Sequence, residues 1–182
     1  AVPQLTEADA VPVGEQPYVL VTVGGGDDGM SVVDWVLRAY EHDAGIPLAA
    51  VLVLGPFMPP AKQRQFRERA KRLPHIAVVT FDAHVELLME RAVGVVAMAG
   101  YNTFCEILSL DKRAILIPRT TPRQEQLLRA LRAAELGLVR TLDPRGEHDP
   151  AVMAAALRAL PQQKLPSALG AERMLGGLDI IT

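Results

Sequence analysis

Short apolar segments rich in β-branched residues alternate with amphipathic segments along most of the chain. The apolar segments, which we interpret as strands, span residues 18–23, 48–54, 76–80, 94–98, 114–117 and 138–141. The amphipathic segments repeat apolar positions at helical spacing, as Val32, Val36 and Tyr40 do. The remaining helical segments span about 61–72, 84–92, 103–110, 122–135 and 150–160. This alternation predicts βαβ units and a parallel sheet that is buried on both faces.

We therefore expect an α/β fold with three layers, a Rossmann-like domain whose mostly parallel sheet has six strands and is doubly wound. Crossovers in such sheets are right-handed, and ligands bind beyond the carboxyl ends of the strands, near the point where the strand order reverses. The loops that directly follow the strands are accordingly the places to look for site residues.

Length and composition favour a single folded domain. With 182 residues, of which 49% are hydrophobic and 22% charged, the chain can fill one core and is short for two. Residues 1–16 show neither a strand nor a helix period, and we interpret them as a linker to a domain at residues 17–182. Because the chain does not begin with methionine, we expect it to be one part of a longer protein.

Charge and cysteine content narrow the expected partners. A formal net charge of −2, with acids and bases interspersed, does not create the basic field that nucleic acids favour, so we expect no nucleic-acid partner. Cys105 is the single cysteine, so no internal disulfide can form, and no apolar run is long enough to span a bilayer. These features indicate a cytoplasmic protein.

The loop after the first strand contains a G-x-G-x-x-G pattern at residues 24–29. A dinucleotide site would also need an acidic residue at the end of the second strand, and residues 52–56 contain none. Asp27 and Asp28 would repel a phosphate at the start of the following helix. Two interpretations stay open: the glycines let strand and helix pack closely, or the amides of Gly24, Gly25 and Gly26 face a ligand.

The loop after the fourth strand offers a second glycine turn. Thr103 and Glu106 fit a T-x-x-E capping box, in which the glutamate only stabilises the end of a helix. Alternatively, the amides of Asn102 and Thr103 face a phosphate, and Glu106 accepts hydrogen bonds from sugar hydroxyls. Cys105 has no histidine beside it in the sequence and is expected to be a small buried residue rather than a nucleophile.

The loop after the fifth strand is dense in polar residues. Residues 121–124 form another capping signature, with a threonine cap followed by proline. Arg119 and Arg123 could neutralise a diphosphate, and Glu125 and Gln126 could bond hydroxyl groups; the alternative is a solvated charged face. Two glycine or polar turns, each opening a helix at the carboxyl end of a strand, converge on one crevice in this fold, which suggests a phosphate-bearing, hydroxyl-rich ligand.

The four histidines do not indicate a metal site, because none of their spacings matches a known ligand pattern such as H-E-x-x-H. His84 follows the third strand, where a lone histidine is more often a capping or surface residue. The chain also contains no Walker lysine motif and no G-x-S-x-G elbow, which argues against P-loop and serine-hydrolase chemistry.

Residues 94–142 resemble the C-terminal half of family 28-type glycosyltransferases, the family that includes the peptidoglycan N-acetylglucosaminyltransferase. The resemblance rests on residues 100–103 with Glu106, on Pro118 and Arg119, and on residues 122–126. The details at 55–59 and 100–103 are more similar to a bacterial branch of predicted glycosyltransferases.

This resemblance implies one half of a GT-B architecture, whose C-terminal domain binds a nucleotide sugar, usually a UDP-sugar. It implies that residues of the two glycine turns face the diphosphate: Gly24, Gly25, Gly26, Gly100, Tyr101, Asn102 and Thr103. Glu106 would hold the ribose hydroxyls, and Phe81 and Asp82 would meet the base. Glu125 and Gln126 would touch the donor sugar, and Arg119 or Arg123 would stabilise the leaving group.

The implied activity is transfer of a hexosyl group to an acceptor hydroxyl, with no required metal or other cofactor. The catalytic base and the acceptor pocket would lie in an N-terminal domain outside this chain or in a partner chain, so the isolated domain should be inactive. Any peripheral membrane contact would come from that missing part. A nucleotide-sugar 2-epimerase or hydrolase of the same architecture is the alternative, with Glu125 in acid–base work. A nicotinamide-binding module is the third hypothesis. It is disfavoured because no acidic residue follows Leu54 at the end of the second strand.

Overall fold

The computed structural model describes residues 13–26, 28–80, 84–122 and 124–171. Its strands form one six-stranded sheet in the order β3-β2-β1-β4-β5-β6, and every neighbouring pair is parallel. The strands are β1 (Tyr18–Thr22), β2 (Ala49–Val53), β3 (Ile76–Val79), β4 (Gly94–Ala97), β5 (Arg113–Leu116) and β6 (Arg140–Thr141). The predicted doubly wound, Rossmann-like α/β fold is thereby confirmed.

Within the described residues, six helices cover the two faces of the sheet. They are α1 (Met30–His42), α2 (Pro60–Ala70), α3 (Val85–Arg91), α4 (Tyr101–Ser109), α5 (Glu125–Glu135) and α6 (Pro150–Ala159), and two 3₁₀ turns follow at Leu160–Gln162 and Pro166–Leu169. Buried side chains of α1, α2 and α6 belong to one hydrophobic cluster, and those of α3, α4 and α5 to another. The sheet is therefore the middle of three layers, as the alternating pattern predicts. No helix among the described residues is long and apolar enough to cross a bilayer.

The central strands carry side chains into both clusters, which explains their continuous apolar sequences. In β1, Val19 and Val21 pack on the α1 side, and Tyr18 and Leu20 pack on the α4 side. Successive residues of a strand point to opposite faces, so a strand covered by helices on both sides needs apolar residues at every position. All five residues of β1 are buried.

The predicted strands lie within two residues of the observed ones at each end, and two helix starts are shifted by two and three residues. Helix α4 begins at Tyr101 rather than near residue 103, and α5 begins at Glu125 rather than near 122. The fold places the reversal of strand order between β1 and β4, which are neighbours in the sheet. The loops after β1 and β4 therefore flank the crevice in which doubly wound sheets bind ligands.

Candidate functional site

The turn between β1 and α1 is packed directly against the loop that follows β2. Gly26 has φ of +92°, and a Cβ atom there would lie 2.2 Å from the carbonyl oxygen of Leu54. The backbone amide of Phe57 donates to the carbonyl of Gly25 at 2.8 Å, and a Cβ on Gly55 would lie 2.4 Å from the oxygen of Gly24. The two loops meet backbone to backbone, which only glycines allow.

Close packing also explains the last glycine of the G-x-G-x-x-G pattern. Gly29 is the N-cap of α1, and a Cβ there would lie 2.2 Å from the Cβ of Val23 at the end of β1. The amide of Gly26 donates to the carbonyl of Val23 at 3.2 Å, so this donor is already used inside the turn. Around Gly24, by contrast, a Cβ would meet no described atom within 4 Å. The packing interpretation thus accounts for Gly26 and Gly29, and ligand contact by the turn stays a prediction.

The turn between β4 and α4 is not closely packed against another described loop at its glycine. Gly100 is the N-cap of α4, with φ −59° and ψ 148°, and no described atom would lie within 4 Å of a Cβ placed on it. Phe104 is the first residue of the helix whose amide donates back to residue 100, at 2.9 Å. The amides of Tyr101, Asn102 and Thr103 precede this first helical hydrogen bond. They form the positive end of the helix dipole, the arrangement that binds anions.

The predicted capping box at Thr103 and Glu106 is wrong. Thr103 is the third residue of α4 rather than its cap, and the cap position makes no side-chain hydrogen bond. The helix starts two residues earlier, since the amide of Phe104 donates to the carbonyl of Gly100, and the buried Ile107 and the packed Phe104 anchor it on the sheet. Glu106 is exposed and lies one turn beyond Asn102 and Thr103, on the same side of the helix.

An arginine outside the predicted site residues braces this turn. Arg129 of α5 donates through Nη1 to the carbonyl of Ala99 at 2.5 Å. Its guanidinium carbon also lies 5.5 Å from the centroid of the Tyr101 ring, within cation–π range. Arg129 thereby fixes the chain directly before the start of α4. No local sequence signal singles out Arg129, since Arg132 in the same helix is an equivalent cation.

The loop between β5 and α5 is held by a side chain that is predicted to contact the donor sugar. Gln126 accepts, through Oε1, a hydrogen bond from the amide of Arg119 at 3.1 Å. The predicted cap at Thr121 is wrong, because Gln124 is the N-cap of α5 and Pro122 lies in the loop, preceded by a cis peptide bond. The S/T-P-x-Q pattern is short and local, and the first helical hydrogen bond instead runs from the amide of Leu128 to the carbonyl of Gln124, at 2.9 Å.

The loops after β1 and β5 meet through an ion pair. Nη1 of Arg119 lies 2.5 Å from Oδ2 of Asp28, and the side chains are 37% and 35% exposed. Both residues line a cleft of about 230 Å³, together with Ser31, Met98 and Thr120. The Nε atom of Arg119 is buried and has no hydrogen-bond partner in the described ranges. Nothing in the sequence links Asp28 to Arg119, so this contact was not predicted.

The structure places the described candidates at the carboxyl edge of the sheet. Those of the glycine turns lie after β1 and β4, and those of the polar loop lie after β5 or at the start of α5. Phe81, Asp82 and Arg123 lie outside the described residues. Contacts tie the β1 loop to the β2 and β5 loops, and the β4 turn to α5.

Within the described ranges, no group of three or more histidine, cysteine or acidic residues could hold a metal ion. Cys105 is a free, half-buried thiol and not the buried residue that was expected. The shifted pKa of Tyr18 has a structural cause. Burial raises this pKa to about 12, and the Tyr18 hydroxyl donates to the carbonyl of Leu88 at 2.6 Å. Tyr18 lies at the amino end of β1, away from the candidate site.

The sequence matches one known protein family. Residues 19–168 match the family model described as the glycosyltransferase family 28 C-terminal domain. No functionally curated protein was found to match the sequence.

Several solved structures share the fold. A glycotransferase of kitacinnamycin is 19% identical, with a TM-score of 0.67 over 96% of this chain and 42% of that chain. MurG of Acinetobacter baumannii is also 19% identical, with a TM-score of 0.67 over 87% of this chain and 46% of that chain. The glycosyltransferase VinC, solved in complex with dTDP, is 19% identical, with a TM-score of 0.62 over 87% and 36%. The chain thus spans less than half the length of these proteins.

Proposed function

Because the chain belongs to the glycosyltransferase family 28 C-terminal domain family, we propose that it binds the nucleotide-diphosphate sugar of a glycosyltransferase, with a UDP-sugar as donor. The observation that carries the proposal is the open turn before α4. It presents three helix-start amides at the strand reversal, with free space in front of Gly100. A diphosphate is the ligand that such a helix end favours.

The diphosphate lies against the amides of Tyr101, Asn102 and Thr103 in this proposal. Glu106 follows one turn later on the same side of α4, so its carboxylate can accept hydrogen bonds from the ribose hydroxyls. The geometry thus supports the order phosphate then ribose along the helix. The base would continue toward Phe81 and Asp82, an assignment that rests on the family resemblance.

Leaving-group stabilisation is assigned to Arg119. Transfer of a hexosyl group from its anomeric carbon leaves a nucleoside diphosphate, whose developing charge needs helix dipoles and cations. Arg119 lines the cleft beside Ser31 at the start of α1, and its Nε is a buried donor without a described partner. Arg123 is the second candidate from the sequence. No metal or other cofactor has a step in this proposal.

The donor sugar is assigned to Glu125 and Gln126 at the start of α5. Gln126 is half-buried, and its Oε1 is bonded to the amide of Arg119, which leaves its amide group to donate to a hydroxyl. The acceptor site and the catalytic base are assigned to an N-terminal domain of the same protein or to a partner chain. The isolated chain therefore binds donor and transfers no sugar.

The test is a calorimetric titration of the chain with UDP, GDP, dTDP and NAD. We expect selective binding of UDP. Glu106→Ala should weaken UDP binding by about tenfold or more, since hydrogen bonds to a charged group contribute about 1.5–3 kcal/mol. The matched control is Glu135→Ala, which removes an exposed glutamate from the far end of α5.

The outcomes separate the alternatives. Unchanged UDP affinity in Glu106→Ala would contradict the ribose assignment. Binding of NAD alone would return the G-x-G-x-x-G turn to the dinucleotide interpretation. Preference for dTDP, the ligand in the VinC structure, would keep the diphosphate site and correct the base.

A further inference from the structure

Asp28 stands where an anionic ligand would approach the candidate site. It directly precedes Gly29, the N-cap of α1, and its Oδ2 lies 2.5 Å from Nη1 of Arg119. The pair joins residues 91 positions apart and borders the cleft between the β1 and β5 loops. A carboxylate at this place satisfies the same guanidinium that a phosphate would.

The pair is not needed to hold either loop. The β1 turn is already fixed by the hydrogen bonds of Gly26 to Val23 and of Phe57 to Gly25. The β5 loop is fixed by Gln126, which binds the amide of Arg119. Ion pairs with this degree of exposure contribute little to stability, so a structural role for the contact is small.

We propose that Asp28 is an internal competitor for the diphosphate: it holds Arg119 in the unliganded protein, and the ligand binds when Arg119 exchanges the carboxylate for a phosphate oxygen. The inference rests on the proposed function. The pair with Asp28 keeps the side chain of Arg119 ordered before the ligand arrives. It also lowers the affinity for the nucleoside diphosphate product, which favours its release.

The geometry makes this exchange local. The amide of Arg119 remains bound to Gln126, so only the guanidinium has to change partner. Its buried Nε supplies a further donor that has no partner in the part of the chain that the structure describes. A guanidinium can donate to a phosphate through two nitrogens at once, whereas the hydrogen bond to Asp28 uses Nη1.

The test compares UDP affinity in the wild-type chain and in Asp28→Asn by calorimetry. Asp28→Asn keeps the shape of the side chain and removes its charge, so we expect a Kd roughly fivefold lower, which corresponds to the upper range for an exposed pair. Asp28→Ser serves as a second variant, and urea unfolding of each variant confirms that it is folded.

Asp43→Asn is the matched control. Asp43 also pairs with an arginine, Arg158, at 2.7 Å, and its loss changes the net charge by the same amount. It follows the other end of α1, about 20 Å away for a 13-residue helix. UDP affinity should be unchanged in Asp43→Asn, and an equal gain there would overturn the inference by assigning the effect to net charge.

The exchange is tested by repeating Asp28→Asn in an Arg119→Ala background. If Asp28 acts through Arg119, the fivefold gain falls to less than about twofold. A gain of full size would show simple repulsion of the ligand and overturn the exchange. UDP binding by wild type with no gain in Asp28→Asn would overturn only this inference, whereas absence of UDP binding by both folded proteins would contradict the proposed function as well.

Discussion

The two glycine turns at the strand reversal use glycine for different reasons. In the turn after β1, a Cβ on Gly26 or Gly29 would lie 2.2 Å from a neighbouring atom, so these positions have no room for a side chain. In the turn after β4, Gly100 has ordinary backbone angles and open space around it. The first turn is filled by protein around Gly26 and Gly29, and the second leaves a helix end open. The more recognisable motif is therefore the structural one.

Gly26→Ala should have the largest effect on stability. Its Cβ would overlap the carbonyl oxygen of Leu54, and alanine is strained at φ of +92°. We expect a loss of about 3 kcal/mol or more in the free energy of unfolding, measured by urea denaturation. A loss below about 1 kcal/mol would contradict the close packing of the β1 and β2 loops.

Gly100→Ala should lower UDP affinity while it leaves the free energy of unfolding nearly unchanged. Alanine fits its backbone angles, so the free energy of unfolding should change by less than about 1 kcal/mol. The added methyl group would stand in front of the amides that we assign to the diphosphate, and UDP affinity should fall by about tenfold. Calorimetry and urea denaturation of the same sample give both values. If Gly100→Ala binds UDP with wild-type affinity, the claim that the two glycine turns have different roles is contradicted.

Arg129→Gln should give a smaller effect on both quantities. The change removes the charged donor to the carbonyl of Ala99 and the cation above the Tyr101 ring. We expect a loss of about 1 kcal/mol in stability and a two- to fivefold loss in UDP affinity, because the start of α4 is less well fixed. Arg132→Gln is the control on the same helix, since Arg132 is exposed and pairs only locally with Glu135 among the described contacts. Equal effects in both variants would contradict the bracing role.

The sequence predicts the sheet well because burial on both faces leaves a continuous signal. Val19 and Val21 face one cluster and Leu20 the other, so the apolar run in β1 cannot be read as a solvent-exposed strand. β6 is weaker, because only Arg140 and Thr141 are paired and both are half-buried.

The sequence predicts which loops carry the candidate site, but it does not predict the side-chain contacts between them. The order of strands places the loops after β1, β4 and β5 near one another, which the alternating pattern already implies. The pairs that shape the site, Asp28 with Arg119 and Arg129 with Ala99, join residues 91 and 30 positions apart. No short motif records such contacts. Conversely, T-x-x-E at Thr103 is a valid capping pattern, yet the helix is capped three residues earlier, at Gly100.

The most direct test is a titration of the isotope-labelled chain with UDP, followed through its backbone amide resonances. We predict the largest shifts at Tyr101, Asn102 and Thr103, with Glu106 close behind, and a small shift at Gly26, whose amide is bonded inside its turn. Saturable shifts confined to the β1 turn, with α4 unmoved, would contradict the claim that the open helix end after β4 receives the diphosphate.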